Sequence, residues 1–390
     1  MGMDLKEIFL RLVRLGLGCA DYSTDLIPQL SAKDWQALES IANEQGLLGV
    51  MLDGVEKLPR ELRPEKKAIL QSIGQLIQSE QQYAVQEHAA AEMGLLLHQH
   101  GIRTYVLKGA VVAESYPRPE HRRSVDMDCF LVDENVNVNL DLNADVWERG
   151  NRVVEEAGFE VARGFYKNST FHLPGLAVEN HRFMTPFRGN KRLKSLERFL
   201  QSMIFNDNLK ENDNENGGGE DVKVSVKVEA SNRRFEGTWL YRPPVMVSAL
   251  FLIEHAYSHF LHEGLTWRHV LDWTMFSRRH REEIDWEAFD GLIDEYGFRK
   301  FYDSYCRLGR FLVGELAADG LQLTDRRMLA DVWAPLDVHE SLHGLKAKLQ
   351  LAGNYWRARW KYRLFTDMTW LRALAEWVLG AVFERQPRLG

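Results

Sequence analysis

Cysteine is scarce in this sequence. Only Cys19, Cys129 and Cys306 occur among 390 residues, and their spacing fits neither a disulfide framework nor a metal-ligand motif. This usage excludes the small secreted domains that depend on disulfides, and it predicts a reducing compartment. The N-terminus also lacks the basic and apolar run of a signal peptide. We therefore expect a cytoplasmic protein.

Long apolar runs and an excess of positive charge are also missing. No uninterrupted apolar segment reaches the about 20 residues that span a membrane, which excludes a membrane-spanning helix. The formal net charge is -7, and bulk affinity for polyanions requires positive charge, so nucleic acid is a disfavoured partner. A hydrophobic content of 45% in a chain of this length instead predicts two or three domains with real cores.

The sequence pattern divides the chain into three parts. Residues 1–100 and 241–390 show helical periodicity, whereas residues 101–240 alternate strand-like and helix-like segments. Residues 206–221 are polar and rich in glycine, so they predict a mobile loop, and the alternating valines of residues 222–228 predict a strand after it. The expected fold class is α+β, with a mixed β-sheet core flanked by N- and C-terminal helical segments.

A strand, a glycine turn and two closely spaced acids stand near the start of the central part. Val106-Leu-Lys-Gly109 reads as a strand that ends in a tight turn, and Asp126-Met-Asp128 begins a later apolar strand. Side chains alternate faces along a strand, so the two acids project from the same side. Adjacent carboxylates repel each other unless a cation lies between them. Mg²⁺ prefers such hard oxygen ligands and often retains substrate phosphates, which indicates metal-dependent chemistry on a nucleotide.

These residues resemble the nucleotidyltransferase superfamily that includes DNA polymerase beta. That superfamily carries a glycine at a strand-to-helix turn, an acid-x-acid strand and a third acid on a later strand. Gly109 matches the first feature, and Asp126 with Asp128 matches the second. Glu179, bracketed by strand-like residues, matches the third.

Further residues resemble a smaller bacterial family of uncharacterised nucleotidyltransferases within that superfamily. Leu107-Lys108-Gly109 matches the Leu-Lys-Gly motif of that family at the turn. Arg122 matches an arginine four positions before the first acid, and His181 matches a histidine two positions after the third acid. The similarity covers roughly residues 95–280. Order and spacing together make it more specific than any single motif.

The resemblance implies that the protein transfers a nucleotidyl group from an NTP to an acceptor hydroxyl and releases pyrophosphate. Asp126, Asp128 and Glu179 are then the catalytic acids and the ligands of Mg²⁺ or Mn²⁺. The implied nucleotide-binding residues are Lys108, Gly109, Ala110, Arg122, Arg123 and His181. A small molecule, a protein side chain and an RNA end all remain open as the acceptor.

Two positions depart from the superfamily pattern. Ala110 stands where Gly or Ser usually follows the turn glycine, which removes a hydroxyl contact to phosphate, although backbone N–H groups at a helix start still bind anions. The third acid is Glu179, followed by the polar Asn180. These departures keep a second interpretation open, namely a non-catalytic nucleotide-sensing or protein-interaction module on the same fold.

Three histidines lie on one face of a helix in the C-terminal part. His255, His259 and His262 follow the spacing i, i+4 and i+7. A zinc site, a buried structural stripe and a role in the nucleotide cleft are the three interpretations, and the His-Glu-x-x-His motif of zinc enzymes is absent.

Two other segments of the C-terminal part have competing interpretations. Arg268 and Asp272 stand four residues apart, which predicts an ion pair along one helix. Residues 356–363 interleave cations with aromatics, as in Trp356-Arg357-Ala-Arg359-Trp360. That segment predicts either an RNA-contact face or an amphipathic helix whose aromatic side chains pack inward.

Overall fold

The computed structural model describes residues 4–19, 27–134, 143–163, 166–187, 190–212, 233–334, 345–367 and 369–372. Its α-helices are α1 (Leu5–Leu17), α2 (Ala32–Glu44), α3 (Leu48–Glu56), α4 (Lys66–Gln99), α5 (Ala110–Ala113), α6 (Asn143–Glu156), α7 (Lys191–Asn212), α8 (Val245–His262), α9 (Trp267–Arg279), α10 (Trp286–Glu295), α11 (Arg299–Leu312), α12 (Leu323–Trp333) and α13 (Leu345–Phe365). In this part of the chain, none of them combines the length and the apolar character of a membrane span.

Six strands form one mixed sheet in the middle of the chain. They are β1 (Ile102–Val106), β2 (Asp126–Asp133), β3 (Val161–Ala162), β4 (Asn168–Leu173), β5 (Leu176–His181) and β6 (Leu240–Tyr241). Their order is β3-β4-β5-β2-β1-β6. Strand β2 runs parallel to β5 and antiparallel to β1, while β1 runs parallel to β6. The predicted α+β class with a mixed sheet is confirmed.

Helices cover both faces of this sheet. Helices α4 and α6 meet on one face, where Gly150 lies so close to Leu131 of β2 and Leu97 of α4 that a larger side chain would collide with Leu131. Helix α8 lies on the other face, where the ring of Phe251 approaches that of His181 edge-on at 6.1 Å. The side chains of Asp126, Asp128, Glu179 and His181 share this second face, so α8 packs on the face that carries the acids.

The helical segments at the two ends of the chain contact each other directly. Arg14 of α1 donates from Nε to the carbonyl of Leu312 at 2.8 Å, and from Nη2 to the carbonyl of Phe311 at 2.7 Å. The side chain of Gln45 donates to the carbonyl of Val332 and accepts from the backbone of Trp267. One continuous hydrophobic core includes buried residues from all three parts of the chain.

The region predicted as a mobile loop begins with helix. Helix α7 continues to Asn212, so the predicted loop start at residue 206 is wrong. Leu196, Leu200 and Ile204 anchor the helix in the core, and each added residue then gains a backbone hydrogen bond at little cost, even when it is polar. The rest of the predicted loop, residues 213–221, and the predicted strand at 222–228 lie outside the described residues.

Candidate metal and nucleotide site

Parallel pairing of β2 with β5 brings the acids together. The register places Asp128 directly opposite Glu179, and it places Asp126 opposite Ala177. Residues paired in this way point to the same face of the sheet. Glu179 therefore lies beside Asp128 on one sheet face, while the prediction that it shares a cation with both Asp126 and Asp128 stays a prediction.

His181 completes this cluster. Its Nε2 lies 2.8 Å from Oδ1 of Asp128 and 3.6 Å from Oε2 of Glu179. One ligand atom from each of Asp128, Glu179 and His181 lies within 4.8 Å of the other two. Among the described residues this is the group that could hold a metal ion. His181 therefore joins the candidate metal ligands, whereas the sequence predicted it only as a nucleotide contact.

Hydrogen bonds around the cluster orient its members. Nδ1 of His181 lies 3.2 Å from the carbonyl oxygen of Phe183, so Nδ1 carries a proton and donates a hydrogen bond to that oxygen. Nε2 donates to Oδ1 of Asp128 at 2.8 Å. A cation in the cluster would displace this second proton, and the bond from Nδ1 would then hold the tautomer that metal-binding histidines adopt. Asn168 donates from Nδ2 to Oε2 of Glu179 at 2.8 Å. A carboxylate–imidazole group held in this way fits a divalent cation.

The two carboxylates of the cluster differ in environment. The side chain of Asp128 is 4% exposed, whereas that of Glu179 is 37% exposed. Burial alone would raise the pKa of Asp128, but the hydrogen bond and charge of His181, with the charge of Lys108, lower that pKa below its ordinary value. Burial and the charge of Asp128 raise the pKa of Glu179. Asp128 is thus the fixed anion of the site, and Glu179 is the carboxyl that exchanges a proton more readily.

Asp126 is the first residue of β2, at the end of an interior strand of the sheet. It is partly exposed, and it does not belong to the group of three described residues whose ligand atoms converge. Its side chain lies on the same face as Asp128, one strand period nearer to solvent. The predicted metal role of Asp126 stays a prediction.

Lys108 lies in the interior and not in solvent. Its ammonium donates to Nε2 of His255 at 2.6 Å, and only 7% of the residue is exposed. Burial lowers the pKa of Lys108 to about 8, although the nearby charge of Asp128 opposes the shift. Because His255 accepts this hydrogen bond, its Nε2 carries no proton, and burial with the charge of Lys108 lowers the pKa of His255 well below its ordinary value. The ammonium uses one of its three donors on His255.

Arg122 is committed to a buried ion pair. Its Nε and Nη2 donate to the two carboxylate oxygens of Asp272, each at 2.8 Å, and Tyr116 donates to the same carboxylate at 2.7 Å. The carboxylate of Asp272 therefore occupies the guanidinium fork, and the nucleotide contact predicted for Arg122 stays a prediction. Nη1 is buried and has no partner among the described residues. Asp272 thus pairs with Arg122 and not with Arg268, its predicted partner on the same helix.

The turn between β1 and α5 has the predicted glycine geometry. Gly109 adopts φ 71°, in the left-handed region that favours glycine. Helix α5 starts at Ala110 and has four residues. Arg123 is exposed, and its carbonyl accepts from Nη1 of Arg268 at 3.0 Å. The nucleotide contacts predicted for Gly109, Ala110 and Arg123 stay predictions.

The three histidines of α8 have different partners. His255 contacts Lys108, Nδ1 of His259 lies 2.8 Å from a carboxylate oxygen of Glu263, and Nδ1 of His262 donates to the carbonyl of Ser258. None of the three belongs to the candidate metal group found in the described residues. His255 thus lies beside Lys108, and its role in a nucleotide cleft stays a prediction.

The basic and aromatic segment in α13 packs partly inward. Lys361 is buried, and its ammonium donates to Asp331 at 2.8 Å and to the carbonyl of Phe260 at 2.6 Å. Tyr362 is also buried, while Trp356 remains 55% exposed. The amphipathic-helix interpretation accounts for the buried residues of this segment.

Lys167 and Asp272 lie near the candidate site, and the sequence did not predict this position for either of them. The charge of Lys167, just before β4, lowers the pKa of Asp128 and opposes the raised pKa of Glu179. Asp272 reaches the site from α9 and neutralises Arg122. The i, i+4 spacing of Arg268 and Asp272 pointed to a different partner, and no motif marks Lys167.

Comparison with known protein families identifies the family of this chain. A family model described as uncharacterised nucleotidyltransferase matches residues 31–204 and 220–314. No curated protein and no solved structure matches the chain significantly.

Proposed function

Because the chain belongs to the uncharacterised nucleotidyltransferase family, we propose that it transfers a nucleotidyl group from an NTP to an acceptor hydroxyl and releases pyrophosphate. The convergence of Asp128, Glu179 and His181 on adjacent parallel strands carries this proposal. Two carboxylates and one imidazole, oriented by Asn168 and by the carbonyl of Phe183, are suited to a divalent cation that contacts phosphate oxygens.

The ligand set bears on which metal binds. Mg²⁺ and Mn²⁺ both accept carboxylate ligands, but an imidazole ligand favours the softer transition metal. We therefore place Mn²⁺ ahead of Mg²⁺ for the group of Asp128, Glu179 and His181. When bound, such a cation stabilises developing phosphate charge and lowers the pKa of a coordinated hydroxyl. Asp126, partly exposed beside this group, would supply a further carboxylate once the triphosphate arrives.

Each side chain of the site has a distinct proposed task. Glu179 is the most exposed of the three candidate ligands. We therefore assign to its carboxylate the binding of the acceptor hydroxyl and the removal of the hydroxyl proton. Lys108 neutralises the triphosphate with the two ammonium donors that His255 leaves unused. The backbone at Gly109 and Ala110 forms the turn that follows Lys108, and we assign to it further phosphate contacts.

The buried pair of Arg122 with Asp272 has a positioning task. It ties the segment between α5 and β2 to α9, and Tyr116 reinforces the tie from the start of that segment. Arg123 follows directly and is exposed, so it is the arginine of this segment that is available to a ligand.

A reducing cytoplasm suits the three free cysteines, Cys19, Cys129 and Cys306.

A second function is favoured by one observation. Asp126 does not converge with Asp128 and Glu179, so the three acids do not form a single compact set. A non-catalytic module that binds a metal–nucleotide complex and signals its presence is consistent with this geometry. Such a module binds NTP but releases no pyrophosphate.

Pyrophosphate release distinguishes the two functions. The protein is incubated with each NTP and Mn²⁺ or Mg²⁺ in a clarified cell extract that supplies acceptors, and pyrophosphate is measured. We expect release by the wild type, loss in Asp128→Asn, and unchanged release in Glu160→Gln, which removes an exposed carboxylate outside the site. NTP binding without release in the wild type would favour the sensing module.

A further inference from the structure

A cavity of about 410 Å³ lies next to the acid-bearing strands, and Arg123 is the residue assigned above that lines it. Its walls come from α4, from the connection between α2 and α3, from the residues just before β2, and from the turn between β4 and β5. The volume falls in the range of small-molecule sites. It therefore has room for a molecule of sugar or nucleoside size.

Uncharged hydrogen-bonding groups dominate one wall of this cavity. Gln75, Ser79, Gln82 and Gln86 line it from α4, and their spacing puts them on a single helix face. Asn43 faces them from the end of α2. An amide both donates and accepts hydrogen bonds, as does a hydroxyl. This wall is complementary to a ligand that carries several hydroxyl groups.

Only part of this capacity is used within the protein. Asn43 donates to Oε1 of Gln75 at 3.2 Å, and Gln82 donates to the carbonyl of Gly175. For the side chains of Gln78 and Gln86, which also line the cavity, no hydrogen-bond partner is found in the described part of the chain. These two amides are available to a bound molecule.

The charges around the cavity argue against a triphosphate there. Among the described residues no Asp or Glu lines it, and the titratable residues that line it are His121 and Arg123. Both ring nitrogens of His121 are taken, by Asp53 at 2.8 Å and by Glu80 at 2.9 Å. Arg123 is then the available cation of the described lining, which suits a neutral or singly anionic ligand.

The position of the cavity connects it to the acids. Arg123, Ser124 and Val125 line it and directly precede Asp126, while Gly175 lines it directly before β5. Consecutive residues of an extended chain are about 3.3 Å apart, so these three residues lie within roughly 10 Å of Asp126 along the backbone. The cavity therefore lies beyond the end of the sheet where both acid-bearing strands begin, and a molecule of nucleoside size bound there would extend past Val125 toward Asp126.

We propose that this cavity binds the acceptor of the nucleotidyl transfer, and that the acceptor is a small hydroxyl-rich molecule of sugar or nucleoside size. The inference rests on the proposed function. It assigns the two substrates to differently charged regions, with the triphosphate beside Lys108 and the acceptor against the amide wall of α4. It also disfavours an RNA end as acceptor, because an RNA end carries several phosphate charges and the described lining offers one available cation, Arg123.

Two cavity variants and one matched control test the proposal. Ser79→Trp fills the cavity, Gln86→Leu removes one hydrogen-bonding group, and Gln81→Leu makes the same change on α4 outside the cavity. Binding is measured by saturation-transfer NMR with neutral sugars, amino sugars and nucleosides as separate probes. Transfer of label from α-³²P-NTP to the low-mass fraction of a cell extract is measured in parallel. Circular dichroism and the affinity for NTP with Mn²⁺ verify the fold and the nucleotide site.

The expected result is a probe that binds to the wild type and to Gln81→Leu, roughly 2- to 10-fold more weakly to Gln86→Leu, and not to Ser79→Trp. Label transfer should fall in the same order while NTP affinity is unchanged. Label transferred to protein or RNA, and unaffected by either cavity variant, would overturn the acceptor site and leave the nucleotidyl transfer intact. A wild type that binds none of the probes would also overturn it. Specific probe binding without any transfer or pyrophosphate release would leave a ligand site but refute the proposed function.

Discussion

Asp128 and Glu179 stand directly opposite each other on the parallel strands β2 and β5. This pairing fixes two carboxylates on one face of the sheet, and His181 lies within 3.6 Å of both. The two strands are joined through β3 and β4, so about fifty residues of chain separate the acids. The register between two strands decides the geometry of the candidate metal site.

Loss of a ligand should weaken metal binding, and the size of the loss should depend on which ligand is removed. We expect Asp128→Asn to bind no Mn²⁺ measurably, because a buried anion is lost, and His181→Gln to lose at least ~100-fold in Mn²⁺ affinity, since even outer-shell changes cost 10- to 100-fold. Titration calorimetry with Mn²⁺ and NTP measures both. His172→Gln, an exposed histidine of β4, is the control. Undiminished Mn²⁺ affinity in Asp128→Asn would remove this group from consideration as a metal site.

Lys108 should recognise phosphate in a pH-dependent manner. Loss of its charge-assisted hydrogen bond in Lys108→Ala should weaken NTP binding about 10- to 100-fold, with a much smaller effect on the nucleoside. Because burial lowers the pKa of Lys108 to about 8, the ammonium is present below that pH and is lost above it. NTP affinity of the wild type should therefore decline as the pH rises through 8.

The control and the contradicting result concern the same titration. Lys33→Ala removes an exposed lysine of α2 and should leave both the affinity and its pH dependence unchanged. The pH dependence should be absent in Lys108→Ala. Equal weakening of nucleoside and NTP binding in Lys108→Ala would indicate a perturbed fold and not a lost phosphate contact.

The pair of Arg122 with Asp272 should be important for stability. In Asp272→Asn the guanidinium stays charged and buried without its counterion, and breaking a buried pair in this way costs about 3–5 kcal/mol of unfolding free energy. Urea denaturation measures the loss. Asp290→Asn, which breaks the exposed pair with Arg299, should cost less than ~1 kcal/mol. Comparable losses in the two variants would show that burial of the first pair has no special consequence.

Glu254 should destabilise the protein at high pH. It is 1% exposed in α8, its Oε2 has no partner among the described residues, and burial raises its pKa to about 7. The folded state then binds more protons than the unfolded state between about pH 4.5 and 7, so stability falls as the pH rises through that window.

Glu254→Gln removes this titration. Relative to the wild type, the variant should gain up to ~3 kcal/mol of unfolding free energy between pH 4.5 and pH 8. Denaturation curves at several pH values measure the difference. Glu287→Gln, which replaces an exposed residue of α10, should show no such trend. A constant difference between wild type and Glu254→Gln across this range would mean that Glu254 ionises as an exposed carboxyl does.

The local features of the fold could be predicted from the sequence. The period of two in Asp126-Met-Asp128 and the glycine at position 109 depend only on neighbouring residues, and both have the predicted geometry. Asp128 and Glu179 were placed together through the family resemblance, and the register confirms it. Helix α7 shows the limit of composition, because its buried residues stabilise a helix that continues into a polar segment.

The partners of the site residues could not be predicted from the sequence. His255 contacts Lys108 from α8, and Asp272 binds Arg122 from α9, about 150 residues away in each case. Such contacts depend on how α8 and α9 pack against the sheet, which periodicity does not encode. The same holds for His181, whose place among the metal ligands follows from the register of β5 with β2.

The fate of the α- and γ-phosphates distinguishes nucleotidyl transfer from the other reactions of an NTP. The protein is incubated with Mn²⁺, cell extract and ATP, GTP, CTP or UTP, labelled with ³²P at either the α or the γ position. The account predicts that the α label becomes attached to an acceptor and that the γ label leaves as pyrophosphate, with both events lost in Asp128→Asn. Attachment of the γ label to the acceptor, or retention of both labels in intact NTP, would contradict it.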